Sequence, residues 1–163
     1  MAVYCESAKC YNDNQMRVYL DNCCYNRPFD PQTDLRISLE TAAKMRVQAL
    51  MRSGEVEYVW SDALDYELSQ SPNFQEPDMI SPWHMGAAES VATDDVLIDR
   101  GEEIEQMGIK AMDALHIASA EAAGCDWFLT TDKGILKRAS VSTEMHIANP
   151  TTFILETANA DDR

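Results

Sequence analysis

Short apolar runs of strand length, separated by stretches with helical periodicity, constrain this chain more than any other feature. Val18-Tyr19-Leu20 opens the pattern, in a strand expected over residues 17 to 21. Val56 to Trp60 and Trp127 to Thr131 repeat it, and Ser90 to Ala92 and His146 to Ala148 supply two shorter runs. Between them, Thr33 can cap a long helix whose apolar positions Leu35, Leu39, Ala42, Ala43, Val47 and Leu50 fall at helical spacing, with Gly54 as its stop. Ser61 caps a second helix through about Gln70, and Trp83, Met85 and Ala88 mark another helical segment. Further helices are predicted from Asp95 to Met107, from Met112 to Ala123 and from Gly134 to Ala139. Pro28 and Pro31 make Asn22 to Gln32 a loop, Ser71 to Pro82 is a second break, and Asn149-Pro150 turns the chain into a closing segment around Phe153 and Ile154. Strands that alternate with helices require right-handed crossovers, so the expected fold is α/β, a central parallel sheet covered on both faces.

At 163 residues this is one globular unit. Residues 1 to 15 show no periodicity and are expected to be a flexible extension. The domain is expected over 16 to 157, beginning at Met16, with 158 to 163 as a tail. MAVYCESAKCYNDNQ has neither a basic n-region nor an apolar h-region, and no apolar run reaches the ~20 residues of a membrane span. A cytoplasmic protein with no membrane association is expected. The five cysteines include no zinc-type pair, so free thiols are expected. A formal net charge of -15 opposes nucleic acid globally and favours metal ions or a basic protein partner.

In parallel α/β sheets, ligands bind beyond the carboxyl ends of the strands. Asp21 ends the first strand and Asp132 ends the Trp127 strand, so both acids lie at that edge. Glu67 lies about two turns into the helix after the second strand, and Asp113 opens the helix that feeds the Asp132 strand. Clustered carboxylates repel one another unless a hard divalent cation sits among them. Each acid alone is equally a cap or a solvent-facing charge, Asp113 as a helix-dipole acid above all. Asp62 and Asp65 share the helix of Glu67, but on a helix neither shares its face well.

The stretches VYLDNCCYNRPFD, SDALDYEL, MDALHIASAEAAG and FLTTDKGIL resemble, in order and context, PIN-domain proteins of the VapC-type toxin branch. The resemblance runs from about Arg17 to Ile154. It implies a three-layer α/β/α PIN-like fold and an endoribonuclease acting on single-stranded RNA. It also implies Mg2+ or Mn2+ held by Asp21, Glu67, Asp113 and Asp132, a small basic antitoxin, and a homodimer. Asn22 stands where many members carry a hydroxyl residue, and the 71 to 100 segment diverges.

Around these acids, Asn22, Arg27, Thr131 and Lys133 are candidate substrate contacts. Arg27 serves equally well as a partner for Asp30, and Thr130 and Thr131 as ordinary β-branched strand residues. Lys133, Lys137 and Arg138 form a compact basic cluster that is either a phosphate foothold or a solvated helix face. His116, one turn after Asp113, is placed to hydrogen-bond a carboxylate or touch substrate but is weighted towards a structural role, and His84 and His146 lack zinc-type partners. Two rivals remain: a non-catalytic PIN-fold binding protein acting through a protein partner, and a receiver-like phosphate-handling domain. All four acids are present, which disfavours the first; a receiver needs paired acids at the first strand, and here Asn22 follows Asp21.

Overall fold

The computed structural model describes residues 15–26, 30–72 and 79–161. In chain order its elements are β1 (Arg17–Leu20), α1 (Asn22–Asn26), α2 (Leu35–Ser53), β2 (Glu57–Ser61), α3 (Asp62–Ser69), α4 (Trp83–Gly86) and β3 (Glu89–Val91). They continue with α5 (Asp95–Gln106), α6 (Ala111–Ala122), β4 (Trp127–Leu129), α7 (Lys133–Leu136), a 3-10 turn at Ala139–Val141, β5 (His146–Ala148) and α8 (Pro150–Asp161). Among the described residues the five strands form one all-parallel sheet in the order β3-β2-β1-β4-β5.

The strand order follows from burial. β1 is the central strand, with Tyr19 in register with Val59 on one side and Phe128 on the other. Val18, Tyr19 and Leu20 are inaccessible to solvent, as a strand with neighbours on both edges and helices on both faces must be. Helices flank the sheet; α2 packs with α8, and α6 with α5 and α3. Arg100 ties α5 to α6 through Glu121 at 2.7 Å and also reaches Glu103 at 2.8 Å. Arg17, at the opening of β1, joins Glu57 of β2 and Glu89 of β3 at 3.1 and 2.9 Å.

Several local expectations are corrected. Asp34, not Thr33, caps α2, its carboxylate accepting the Ile37 N–H at 3.1 Å. Leu35 and Leu39 are 74% and 53% exposed, and the buried face of α2 is Glu40, Ala43, Lys44, Val47, Gln48 and Met51. Ala43 and Val47 of the expected stripe lie on that face and Leu50 packs at its margin, but the face mixes polar with apolar groups, so hydrophobic periodicity placed Leu35, Leu39 and Ala42 inward when they are exposed. Burial depresses the Lys44 pKa to about 8. Residues 22 to 26, expected in a loop, form α1, whose Cys24 and Tyr25 reach the core. Thr130 and Thr131 lie beyond the end of β4, and the closing segment is helix α8, which extends regular structure past residue 157. The helix stops were read correctly: Gly54 and Gly108 hold φ of 78° and 95°, a region that glycine enters without steric cost. Cys23, Cys24 and Cys125 are free thiols, as expected. Arg27 falls outside the described residues, as do residues 1 to 14 of the expected extension. No helix among the described residues is long and apolar enough to cross a membrane.

Candidate functional site

The site begins where β1 runs out. The Asp21 N–H still donates to Leu129 O of β4 at 2.9 Å, so the backbone is anchored at the sheet edge while the side chain enters the crevice beyond it. Asp21 is buried. Its Oδ2 accepts from the Thr130 hydroxyl at 2.8 Å and from the Cys23 thiol at 3.2 Å, and its Oδ1 accepts from the Asn22 N–H at 2.8 Å. These bonds favour the carboxylate, yet burial outweighs them and the pKa is raised. The same Thr130 oxygen accepts the Asp132 N–H at 3.1 Å, so one hydroxyl joins two of the acids. Asp132 caps α7, its Oδ1 taking the N–H groups of Gly134 and Ile135 at 2.6 and 3.1 Å.

Asp113, in the first turn of α6, is half-buried. Its pKa rises from 3.8 to about 6, first through burial and then through the charges of Asp21 and Asp132, with Glu67 adding to them. The four acids therefore share one electrostatic neighbourhood.

Glu67 is held from within the protein. Ser61 caps α3 by accepting the Leu64 N–H at 3.3 Å, and its Oγ is 2.6 Å from the Tyr19 hydroxyl. The Tyr19 hydroxyl is 2.6 Å from His116 Nδ1, and His116 Nε2 is 2.9 Å from Glu67 Oε2. With neutral imidazole a single direction satisfies every group: Leu64 donates to Ser61, Ser61 to Tyr19, Tyr19 to His116 and His116 to Glu67. With imidazolium, Nδ1 donates to Tyr19 and the hydroxyls turn round. Burial opposes charging His116, but the bond to Glu67 and the negative charges of Asp21, Glu67 and Asp113 prevail, and its pKa is raised. Asp21, Glu67 and His116 each bring one ligand-type atom within 4.8 Å of the others. Both nitrogens of His116 are committed in either charge state. His116 therefore orients Glu67, and the donors left for a cation are carboxylate oxygens, a set suited to Mg2+ or Mn2+.

The other acids of α3 are engaged elsewhere. Asp62 accepts the Thr93 N–H at 2.9 Å and Asp65 accepts Trp60 Nε1–H at 2.9 Å, and both side chains are exposed. Of the remaining candidates, Asn22 borders the site and gives its backbone N–H to Asp21. Thr131 is buried and donates its N–H to Cys23 Sγ at 3.3 Å, and Lys133 is exposed at the start of α7, next to Asp132. His84 stacks on Trp60 with 5.4 Å between ring centroids. Sequence reasoning missed Cys23 and the Tyr19–Ser61 link. Ser61 reads as a cap from its position before α3, but no local pattern links its hydroxyl to a second partner on β1.

No family model and no curated protein matches this sequence. Among solved structures it is similar to FitAcB from Neisseria gonorrhoeae, at 17% identity and TM-score 0.53, covering 82% of this chain and 97% of that one. It is likewise similar to VapBC2 from Rickettsia felis bound to a DNA fragment from their promoter, at 16% identity and TM-score 0.52, covering 82% of this chain and 98% of that one. Likeness at such identities is likeness of fold, and it agrees with the PIN-like α/β architecture expected from the sequence.

Proposed function

We propose that this chain is a metal-dependent endoribonuclease that hydrolyses phosphodiester bonds of single-stranded RNA, with Asp21, Glu67, Asp113 and Asp132 as the catalytic and metal-holding acids. The observation that carries this reading is the buried Asp21 carboxylate at the carboxyl edge of a parallel sheet, with a Glu67 oxygen within 4.8 Å of it and the half-buried Asp113 in the field of the same negative charges. Such a cluster is poorly stable until a cation enters it. The donors fit Mg2+ or Mn2+, which when bound supplies neutralising charge at the phosphate and acidifies the attacking water.

The chain's own groups perform the positioning. Thr130 fixes the Asp21 carboxylate and the Asp132 backbone relative to each other. His116 holds Glu67 Oε2, and Glu67 would be one of the carboxylates that hold the cation. Lys133, next to Asp132 in sequence and exposed, is a candidate cation for an RNA phosphate, with Lys137 and Arg138 in the following turns. Phosphate neutralisation there offsets part of the repulsion expected from a net charge of -15.

The same acidity supports a basic partner. VapBC2 is an assembly bound to promoter DNA, and by likeness of fold this chain is proposed to be the toxin of such a pair, itself a homodimer. A partner Arg or Lys entering the carboxylates would compete with the cation and silence the enzyme. Incubation of purified protein with defined RNAs in Mg2+, Mn2+ or EDTA tests the nuclease reading. Cleavage with either cation and none in EDTA is expected, and cation-independent cleavage or none at all overturns it. Recovery of the native protein from its host bound to a small basic protein, whose inhibition weakens as Mg2+ rises, is expected of a toxin. Recovery as a free, constitutively active protein refutes the toxin role.

A further inference from the structure

An open groove of about 390 Å3 borders the acidic cluster, a volume within the range of small-ligand sites. Three of its lining residues tie it to the cluster: Asn22 follows Asp21 in the chain, Glu67 is itself one of the acids, and Met112 precedes Asp113. A strand with its phosphate among the acids has this groove beside it.

Tyr66 lines the groove and is 56% exposed. It immediately precedes Glu67 on α3, a helix whose buried face is Ala63, Leu64 and Leu68, so the helix register itself turns the ring away from the core. One helical turn later the exposed Gln70 lines the same groove. From α6, Met112 adds a polarisable thioether. A ring presented to solvent, with an amide one turn away and a thioether from a second helix, suits a planar group with polar edges.

The charge of the chain directs the choice of ligand. Affinity for RNA arises mainly from phosphate neutralisation, and a formal net charge of -15 works against it. Stacking of a base on an aromatic face is indifferent to that charge, because the base is neutral and every base has a π-face. Single strands supply unpaired bases that splay out onto aromatic side chains.

We propose that the Tyr66 ring is a stacking platform for a base of single-stranded RNA flanking the scissile phosphate, with Gln70 and Met112 bordering that base. This rests on the ribonuclease reading and specifies how its substrate is held. The platform takes any of the four bases, and it acts on substrate binding rather than on the cation.

The test uses the full chain and single-stranded RNAs in which each nucleotide flanking the cut is replaced in turn by an abasic ribose. With wild-type protein, one abasic position is expected to raise KM about tenfold, the contribution of one base on an aromatic ring, with kcat within about twofold. Tyr66→Ala is expected to raise KM for the intact strand by a similar factor and to lose no more than about twofold further on the abasic strand. Tyr66→Trp is expected to keep the wild-type KM, and Mn2+ uptake is expected to be the same in all three proteins. The Tyr66→Ala loss should not change between low and high salt, since stacking releases no counterions. An unchanged KM in Tyr66→Ala, or an abasic penalty as large in that variant as in wild type, overturns the platform. If wild-type protein cuts no RNA with any cation, the ribonuclease reading fails on its own, and the platform is decided by titration with adenosine, an uncharged nucleoside. The ring-proton NMR signals of Tyr66, identified by their absence in Tyr66→Ala, are then expected to move upfield. Unmoved signals overturn the proposal.

Discussion

Replacing Asp113 by Asn should stabilise the metal-free protein, and only at a pH where the native carboxylate is charged. The folded pKa of Asp113 is raised from 3.8 to about 6, by burial first and by Asp21 and Asp132 next. A raised carboxylate pKa means the folded state holds its proton more tightly than the unfolded state. The associated stability is fully present below about pH 4, is lost as pH rises through about 6, and is absent at pH 8. A shift of about two units corresponds to roughly 3 kcal/mol at about 1.4 kcal/mol per unit, and solvent screening of this half-buried group lowers that to about 2 kcal/mol. Asp113→Asn removes the charge while keeping the shape. Urea unfolding in EDTA should show the variant about 2 kcal/mol more stable than wild type at pH 8 and within about 0.5 kcal/mol of it at pH 4. Added Mg2+ should narrow the gap at pH 8 by stabilising wild type alone. A difference that is flat across pH, or a variant that is less stable at pH 8, would refute the reasoning.

Three further outcomes follow from the same geometry. Glu67→Gln is expected to lower RNA cleavage at least 100-fold, while Asp65→Asn, which alters the partner of Trp60 Nε1 and the neighbour of His84, stays within about threefold of wild type; the reverse order in a cleavage assay would mean that α3 presents a different face. Ser61→Ala removes both a helix cap and the partner of a buried tyrosine hydroxyl, so a loss of about 2 kcal/mol in denaturant unfolding is expected, and a neutral result would dissolve the link to Tyr19. Mg2+ affinity measured by calorimetry should fall as pH drops through about 6, where protons compete for Asp113, and a pH-independent affinity between 5 and 8 would place the cation elsewhere.

Much of this architecture could be read from residue pattern because its central strands are buried on both faces. Val18-Tyr19-Leu20 and Trp127-Phe128-Leu129 are unbroken apolar runs for that reason, and the acids that follow them had to lie at one sheet edge. Helix α2 was misjudged because its inner face is built from Glu40, Lys44 and Gln48 as well as Val47, a pattern that hydrophobic spacing does not detect. Glu40 pairs with Arg36 one turn earlier at 3.2 Å, but it also accepts from Asn149 at 3.0 Å across more than a hundred residues, a compensation visible only in three dimensions. The same distinction applies at the site. Each of the four acids has a position relative to a strand or helix that can be read locally, whereas the chain from Ser61 through Tyr19 and His116 to Glu67 joins α3, β1 and α6. Side-chain bonds between distant elements leave no periodic signature in sequence.

The claim that these carboxylates form one cation site is tested most directly by titrating Mn2+ into metal-free protein at pH 7.5 and following free Mn2+ by electron paramagnetic resonance. Wild-type protein should remove Mn2+ from solution to saturation at one or two ions per chain, and Asp21→Asn should weaken that uptake at least tenfold while remaining folded. Equal uptake by Asp21→Asn and wild type, or no saturable uptake by either, would contradict the account.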